Sequence, residues 1–323
     1  MERLRARKGR RRRPPRLAAL LAVIALVLLA ACRTGPYVPP PDPPAATPKG
    51  ELTIGSKSIT EQYLLMKMSA LLLRAQGYRV HEMVFLDSQA IRGAMEAGVL
   101  DLYWEYTTTA RIYYHKREPV YDPNEAFEAV RAQDETQGIV WLPRSGFNSS
   151  WAVLMRKDVA ERASIERISD LAKYVTKEHP MMRFATNEEY LDREDGLNRL
   201  LDVYDFRLSP ERVIAVESDL LSQSVKDGRV EAAVGLASDP RARTFSLTRL
   251  EDDLRAFPPY EAAPVVRADA LSAHPDVRET LEALTPHVTN DTMLELMYQV
   301  DILQKDISKT ARDFLVDRRL LEP

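Results

Sequence analysis

The chain has 323 residues, of which 45% are hydrophobic, and a formal net charge of −3; this length and composition suit about two globular domains. The net charge hides a division, because the first 31 residues hold nine Lys/Arg and one acidic residue, which leaves −11 for the remainder. An acidic body argues against nucleic acid as a partner, since a phosphate backbone requires clustered lysine and arginine.

The basic start is followed directly by an uncharged apolar run of 15 residues, 17–31. This run is short for a membrane span, which needs roughly 20 apolar residues. A basic segment, an apolar segment and small exit residues are typical of a secretory signal peptide, which we assign to residues 1–31. The exit LAAC, residues 29–32, resembles a bacterial lipobox and predicts that Cys32, the only cysteine, carries a lipid. The alternative is an ordinary signal peptide with a cysteine nearby.

Residues 33–50 contain seven prolines in 18 positions. Proline fixes φ and cannot sustain a helix, so the lipidated Cys32 and this segment together, residues 32–50, are expected to form a semi-rigid tether. These features predict a protein that is lipid-anchored to the membrane, in the periplasm or on the cell surface. The working body would then run from residue 51 to residue 323.

Strand candidates alternate with helical patterns along the body. The first part is predicted to contain strands at 51–55, 79–85 and 100–106 with helices at 60–77 and 88–98. Ser58 and Glu61 match a capping box at the start of the first helix. The later part is predicted to contain strands at 182–186, 212–217 and 229–236 with helices at 195–204 and 219–228. This alternation predicts an α/β fold with parallel sheets covered by helices.

A weak internal repeat underlies this order. A shift of 130 residues aligns 84–111 with 214–241 without a gap, and it sets Tyr106 and Leu236 at equivalent strand exits. Ligands on such sheets bind beyond the carboxyl ends of the strands. Two similar lobes with facing strand ends would therefore enclose a cleft.

Six motifs of the body occur in an order that fits one known family. They are IGSKSITEQYLL (54–65), DLYWEYTTTA (101–110), SGFNSSWAV (145–153), DREDGL (192–197), LEDDLRAFPPYEA (250–262) and TNDTMLELMYQVD (289–301). Together they resemble the glycine betaine/carnitine/choline-binding proteins of bacterial osmoprotectant ABC importers.

The resemblance implies a type II periplasmic-binding-protein fold with two lobes. Each lobe would be a mainly parallel sheet flanked by helices, and the ligand would bind in the interlobe cleft. Lobe 1 is expected to be discontinuous, from residues 51–147 and 246–323, and lobe 2 to comprise residues 148–245.

The resemblance also implies a ligand with a quaternary ammonium at one end and often a carboxylate at the other. Aromatic faces attract such a cation, whereas a carboxylate prefers an arginine fork or a lysine. Lys57 and Arg193 match the positions that bind the carboxylate, and Thr109 matches a threonine that hydrogen-bonds the ligand. The matching cage positions are Tyr106, Trp151 and Tyr260.

The sequence departs from the family pattern at the cation end. Leu236 replaces a fourth cage tyrosine, Ser149 and Ser150 stand where acidic residues are common, and Thr108 replaces a glycine. The neighbouring Tyr103 and Trp104 are expected to pack in the core. Other interpretations are open for three of the site residues: a solvated lysine at a helix start for Lys57, a surface ion pair for Arg193 and lobe core for Trp151.

The implied function is that of an extracytoplasmic solute-binding protein. It would capture a betaine-like zwitterion and deliver it, by lobe closure, to an ABC permease with its ATPase. Alternatives are a ligand-sensing lipoprotein of the same fold, or an importer receptor for a bulkier betaine, such as a histidine- or proline-derived one, or another zwitterion. An enzyme is not expected, because the five histidines form no ligand-spaced pair; no metal or cofactor is expected either.

Overall fold

The computed structural model of the protein describes residues 48–322. The predicted signal peptide (1–31), Cys32 and the tether as far as residue 47 lie outside the described residues and stay predictions. Within 48–322, none of the helices combines the length and the apolar character that crossing a membrane requires.

Two five-stranded sheets form the framework. The first consists of β1 (Glu51–Lys57), β2 (Arg79–Phe85), β3 (Leu102–Tyr106), β4 (Ile139–Trp141) and β10 (Ala262–Arg267), in the spatial order β2-β1-β3-β10-β4. The second consists of β5 (Trp151–Arg156), β6 (Phe184–Thr186), β7 (Val213–Ala215), β8 (Ala232–Leu236) and β9 (Leu247–Arg249), in the order β7-β6-β8-β5-β9. Each sheet with its helices forms one lobe.

Helices cover both sheets. In the first lobe they are α1 (Thr60–Ala75), α2 (Ser88–Glu96), α3 (Pro123–Glu135), α10 (Ala268–Ala273), α11 (Asp276–Leu284), α12 (Asn290–Met297) and α13 (Ile307–Asp317). In the second lobe they are α4 (Lys157–Arg162), α5 (Ile168–Lys177), α6 (Glu188–Asp192), α7 (Leu197–Val203), α8 (Leu221–Lys226) and α9 (Arg241–Thr244). This confirms the predicted type II α/β fold with two lobes.

Each sheet contains four strands that run in one direction and one that runs against them. In the first sheet β1 pairs in parallel with β2 and β3, whereas β10 is antiparallel to both β3 and β4. In the second sheet β5 is the antiparallel strand, between β8 and β9. Both β5 and β10 receive the chain directly from the other lobe, so each sheet takes its reversed strand from a crossing.

The two sheets share one strand order, and this agrees with the internal repeat. β3 and β8 are the middle strands of their sheets, and their residues are 130 positions apart. Tyr106 and Leu236 end these two strands, which places them at equivalent points of the two lobes. The repeat in the sequence therefore corresponds to a repeat in the fold.

The chain crosses between the lobes twice, through residues 142–150 and 250–261, and the two crossing segments pair with each other. The Ser149 amide donates to the Tyr260 carbonyl at 2.9 Å, and the Ala262 amide donates to the Phe147 carbonyl at 3.0 Å. The Tyr260 amide also donates to the Asn148 side chain at 2.7 Å. These bonds hold the two crossings as one antiparallel ribbon between the sheets.

The predicted end of lobe 2, at residue 245, lies too early in the chain. We expected residues 246–323 to belong to lobe 1, but β9 pairs with β5 in the second sheet. The Ile168 amide then donates to the carbonyl of Glu251 at 3.0 Å, which keeps this segment on the second lobe. The second lobe therefore extends beyond residue 245. The sequence did not indicate this because β9 has three residues, too few for a clear periodic pattern.

The aromatic residues before Tyr106 are in the core, as expected. Tyr103 and Trp104 are 0% and 1% exposed, and they belong to different hydrophobic clusters because neighbouring strand residues face opposite ways. The Trp104 indole donates to the Ser69 hydroxyl at 2.9 Å, so its polar atom is satisfied inside the core.

The predicted capping box at the start of α1 is wrong. Ile59 precedes the helix in extended conformation, without a side-chain cap. The Ser58 hydroxyl lies 3.1 Å from that of Tyr63. Glu61 is instead buried, with only 1% of its surface exposed, because its carboxylate accepts hydrogen bonds within the cleft.

We expect Gly196→Ala to destabilise the protein by about 1–3 kcal/mol, because the new Cβ would overlap backbone atoms that no rotamer change can move. It would lie far inside contact distance of the Tyr190 carbonyl oxygen and 2.9 Å from that of Arg193. The matched control is Gly93→Ala, where a Cβ meets nothing within 4 Å in the interior of α2. Thermal unfolding should show a loss only for the first variant, and equal melting temperatures would contradict the expectation.

Candidate ligand-binding site

A cavity of about 780 Å³ lies where the carboxyl ends of β1, β3, β6 and β8 meet the crossing ribbon. The lining contains all the residues that the sequence predicted for the site, which are Lys57, Tyr106, Thr109, Ser149, Trp151, Arg193, Leu236 and Tyr260. They come from β1, β3, the helical turn after β3, β5, β8, the crossing ribbon and the turn after α6. The fold thus brings together residues that are up to 203 positions apart in the chain.

Four aromatic side chains contribute to the lining, which are Tyr113 and the three predicted cage residues, Tyr106, Trp151 and Tyr260. Trp151 and Tyr260 meet edge to face, with ring centroids 6.3 Å apart, and Trp151 also packs against the buried Tyr190 at 4.6 Å. Tyr106 is 5% exposed and belongs to one hydrophobic cluster with Tyr260. The three predicted cage residues are held by this packing at the wall of the cavity.

Lys57 ends β1 and reaches the first of two buried carboxylates that the sequence analysis did not identify. Its ammonium group lies 2.6 Å from the Glu105 carboxylate and 5.1 Å from the centre of the Tyr106 ring. Glu105 also accepts hydrogen bonds from the Tyr106 amide and the Tyr114 hydroxyl, both at 2.7 Å. Glu105 therefore supplies the negative partner that a lysine at this buried position requires.

Arg193 is almost wholly buried and makes a two-pronged ion pair with Asp195. Its Nε and Nη2 atoms each lie 2.8 Å from an oxygen of that carboxylate. Nη2 also reaches the Tyr260 hydroxyl at 3.3 Å, and this hydroxyl in turn donates to Asp195. The alternative interpretation of Arg193 from the sequence was a surface ion pair. An ion pair exists, but it is buried, because the Arg193 and Asp195 side chains are each only 1% exposed.

The three successive threonines have separate roles. Thr107 and Thr108 donate to the Pro259 carbonyl at 3.3 Å and 2.6 Å, which fixes the segment just before Tyr260. Thr109 is 3% exposed and lines the cavity. The hydroxyl at Thr108, where the family pattern has a glycine, thus positions a wall of the site.

Leu236 and Trp151 face each other in the ladder between β8 and β5. Leu236 is partly exposed and lines the cavity beside that ring. A leucine has no aromatic face and is shorter than a tyrosine, so this part of the cavity offers space and an aliphatic surface. The structure therefore places the departure from the family pattern inside the cavity.

Glu61 is a further carboxylate of the cavity that the sequence analysis assigned to a helix cap. It accepts hydrogen bonds from the hydroxyls of Tyr106, Ser149 (2.6 Å) and Ser238 (2.8 Å). Burial raises its pKa above the ordinary value of 4.5, and the three hydroxyl donors and the charge of Lys57 oppose that rise only in part. The alternating polar residues of α1 gave no signal that Glu61 faces inward, because its donors lie on distant segments.

The charges of the lining are strongly unequal. Among residues 48–322 it contains seven carboxylates but only two cationic side chains, Lys57 and Arg193, and each cation is already paired with a buried acid. A concave surface with this excess of negative charge attracts cations and raises their local concentration. The cavity thus combines aromatic faces with a negative potential.

Two α/β lobes of matching topology, joined by a paired crossing ribbon around a polar and aromatic cavity, define the class of type II solute-binding proteins. The model of the family described as the substrate binding domain of ABC-type glycine betaine transport systems matches residues 50–317. The chain belongs to this family, whose members bind small substrates for ABC permeases outside the cytoplasm. It is a family of substrate-binding transport proteins and not a family of enzymes.

Individual relatives agree with this assignment. A glycine-betaine-binding protein of Pseudomonas aeruginosa is 33% identical over 276 residues, which cover 84% of this chain and 89% of that protein. An ergothioneine transport permease/ergothioneine binding protein, EgtU, of Helicobacter pylori is 27% identical over 267 residues, which cover 82% of this chain and 47% of that protein. A crystal structure of a glycine betaine/carnitine/choline ABC transporter superposes with a TM-score of 0.68 at 23% identity, covering 83% of this chain and 99% of that one, and shows the same fold.

The buried Glu61 should make stability depend on pH. Because its pKa is raised on folding, its protonation stabilises the protein fully below the ordinary value of 4.5, and that contribution is lost as the pH rises through the folded pKa. The variant Glu61→Gln has no carboxyl group to ionise at this position, so it does not lose this stability as the pH rises. The melting temperature of the variant minus that of the natural protein should therefore increase with pH.

Thermal unfolding from about pH 4 to about pH 8 measures this difference. Glu217→Gln removes an exposed carboxylate from the same cavity and controls for the change in net charge. A difference between the natural protein and Glu61→Gln that is constant over this range would contradict the assignment of a raised pKa to Glu61.

Proposed function

We propose that the protein captures a small quaternary ammonium compound of the betaine class in the cavity and presents it to an ABC permease by closure of the lobes. The observation that carries the proposal is the joint presence of fixed aromatic faces and seven carboxylates in one cavity between two lobes. Membership of the family supports a transported substrate, and the chemistry of the lining supports a cation.

A quaternary ammonium group has no hydrogen to donate, so the cavity must recognise it by charge and shape. The negative faces of Tyr106, Trp151 and Tyr260 suit this task, at about 0.5–2 kcal/mol for each desolvated contact. All three side chains line the cavity. The eight residues predicted from the sequence are proposed as the contacts of the ligand, including Thr109 and Ser149.

Leu236 affects the size of the ligand that the cavity can hold. The aliphatic side chain leaves more room beside Trp151 than a tyrosine would, which favours a substituent larger than methyl. The relative named for ergothioneine makes a histidine-derived betaine a reasonable second candidate. Glycine betaine and choline remain the first compounds to test, because the relative with 33% identity is named for glycine betaine.

We also propose that binding occurs without catalysis and that the protein is lipid-anchored through Cys32, with an ATPase energising its permease. Among the described residues, the cavity lining contains neither histidine nor cysteine, the side chains most often used as bases and nucleophiles. A sensing lipoprotein with the same fold is the alternative. Permease and ATPase genes beside the gene for this chain would favour transport.

Calorimetric titration tests the ligand class. We expect choline and glycine betaine to bind, and we expect choline to bind at least about tenfold more tightly than its neutral tert-butyl analogue, because the two share a shape and only one is attracted to aromatic faces and carboxylates. Equal affinity for choline and the neutral analogue would contradict a cation site.

The variant Leu236→Tyr sharpens the same experiment. The added ring should tighten choline by up to about tenfold and leave the neutral analogue almost unchanged. If the variant alters neither affinity by more than about twofold, well below one such ring contact, Leu236 does not contact the ligand. Melting temperatures of the free proteins provide the control for folding.

The lipid anchor has its own test. Cys32→Ser should release the full-length protein from the membrane fraction of expressing cells, because a hydroxyl cannot replace the thiol that receives the lipid. Mass spectrometry of the unaltered protein should detect acyl chains on Cys32. A serine variant that stays with the membranes, together with an unmodified cysteine in the natural protein, would contradict anchoring.

A further inference from the structure

A carboxylate of the protein itself spans the cleft between the lobes. Glu189, in the second lobe, accepts hydrogen bonds from the Ser88 amide at 3.1 Å and the Ser88 hydroxyl at 2.9 Å, both in the first lobe. The same carboxylate lies 3.1 Å from the Nη1 atom of Arg193. Its side chain is 20% exposed and lines the cavity.

The charges of Lys57 and Arg193 both act on this carboxylate. Burial raises the pKa of Glu189, but the charges of Lys57 and Arg193 and the Ser88 donors outweigh burial, so the pKa lies below its ordinary value. Lys57 and Arg193 are the two cationic side chains of the lining. Glu189 is thus held as an anion close to the groups that would attract the carboxylate of a zwitterionic ligand.

We propose that Glu189 bridges the lobes at that end of the cleft and competes with the carboxylate of a ligand. Glu189 thereby sets the selectivity between ligands with and without a carboxylate. This inference rests on the proposed function for its ligands. It goes beyond that function because it names a residue that weakens binding of the ligand's carboxylate and does not affect binding of its ammonium group.

The physical consequence follows from the number of donors. Arg193 already gives four of its five N–H groups to Asp195, Tyr260 and Glu189. An incoming carboxylate therefore has to displace Glu189 from Arg193 or accept repulsion from it at close range. A ligand without a carboxylate, such as choline, leaves these contacts intact.

The test compares glycine betaine with choline in three proteins by calorimetric titration. Glu189→Gln keeps the shape of the side chain but removes its charge, and we expect it to raise the ratio of glycine betaine affinity to choline affinity by about tenfold. The control Glu188→Gln removes an exposed charge from the adjacent position of the same cavity, without hydrogen bonds to Ser88 or Arg193. It should change the ratio by no more than about twofold through general electrostatics.

Equal changes in Glu189→Gln and Glu188→Gln would overturn the proposal, because the effect would then be one of net charge. A ratio that falls in Glu189→Gln would overturn it as well. Circular dichroism and melting temperature verify that all three proteins are folded, and Ser88→Ala, which removes one donor of the bridge, provides a second variant that should shift the ratio in the same direction.

Solution scattering of the ligand-free proteins separates this proposal from the proposed function. Loss of the bridge should favour open lobes, so Glu189→Ala, which removes both acceptor oxygens, should have a larger radius of gyration than the natural protein and the matched control Glu188→Ala. If neither ligand binds the natural protein, the proposed function fails, and the radius still decides whether Glu189 bridges the lobes. An unchanged radius in that case overturns the role of Glu189 too.

Discussion

The pairing of the two crossing segments is the constraint on which the rest of the structure depends. Hydrogen bonds between Phe147–Ser149 and Tyr260–Ala262 tie the two connections into one ribbon. That ribbon starts the reversed strand of each sheet, and it carries Ser149, Trp151 and Tyr260 into the cavity. A flexible or unpaired connection would leave these side chains without a fixed relation to the strand ends of either lobe.

Buried charge is the second feature that organises the site. Lys57 with Glu105 and Arg193 with Asp195 form ion pairs withdrawn from water, and removal of one partner from such a pair typically costs about 3–5 kcal/mol. Because each cation already has an internal partner, the lining as a whole stays negative. Among the described residues, carboxylates therefore outnumber cationic side chains in the lining.

The fold and most of the site could be read from the sequence, but the contacts within the site could not. Strand and helix periodicity predicted β1, β3, β6 and β8, whose ends border the cavity, but not β5, α6 or the crossing ribbon. The six motifs marked Lys57, Arg193 and the aromatic positions by resemblance. Glu61 was assigned to a helix cap, and Glu105 and Asp195 were given no role. A carboxylate looks the same in a sequence whether it faces solvent or a buried cation, because only the fold brings its partner close.

The sequence by itself determined the alternation of strands and helices, the repeat that relates Tyr106 to Leu236, and the set of residues available to the cleft, because these properties depend on local pattern and spacing. The tertiary structure alone decided that β9 belongs to the second lobe, that Thr108 fixes the segment before Tyr260, and that Glu189 reaches Ser88 across the cleft. These contacts join residues about 100 or more positions apart, and long-range hydrogen bonds of this kind leave no periodic trace in one sequence.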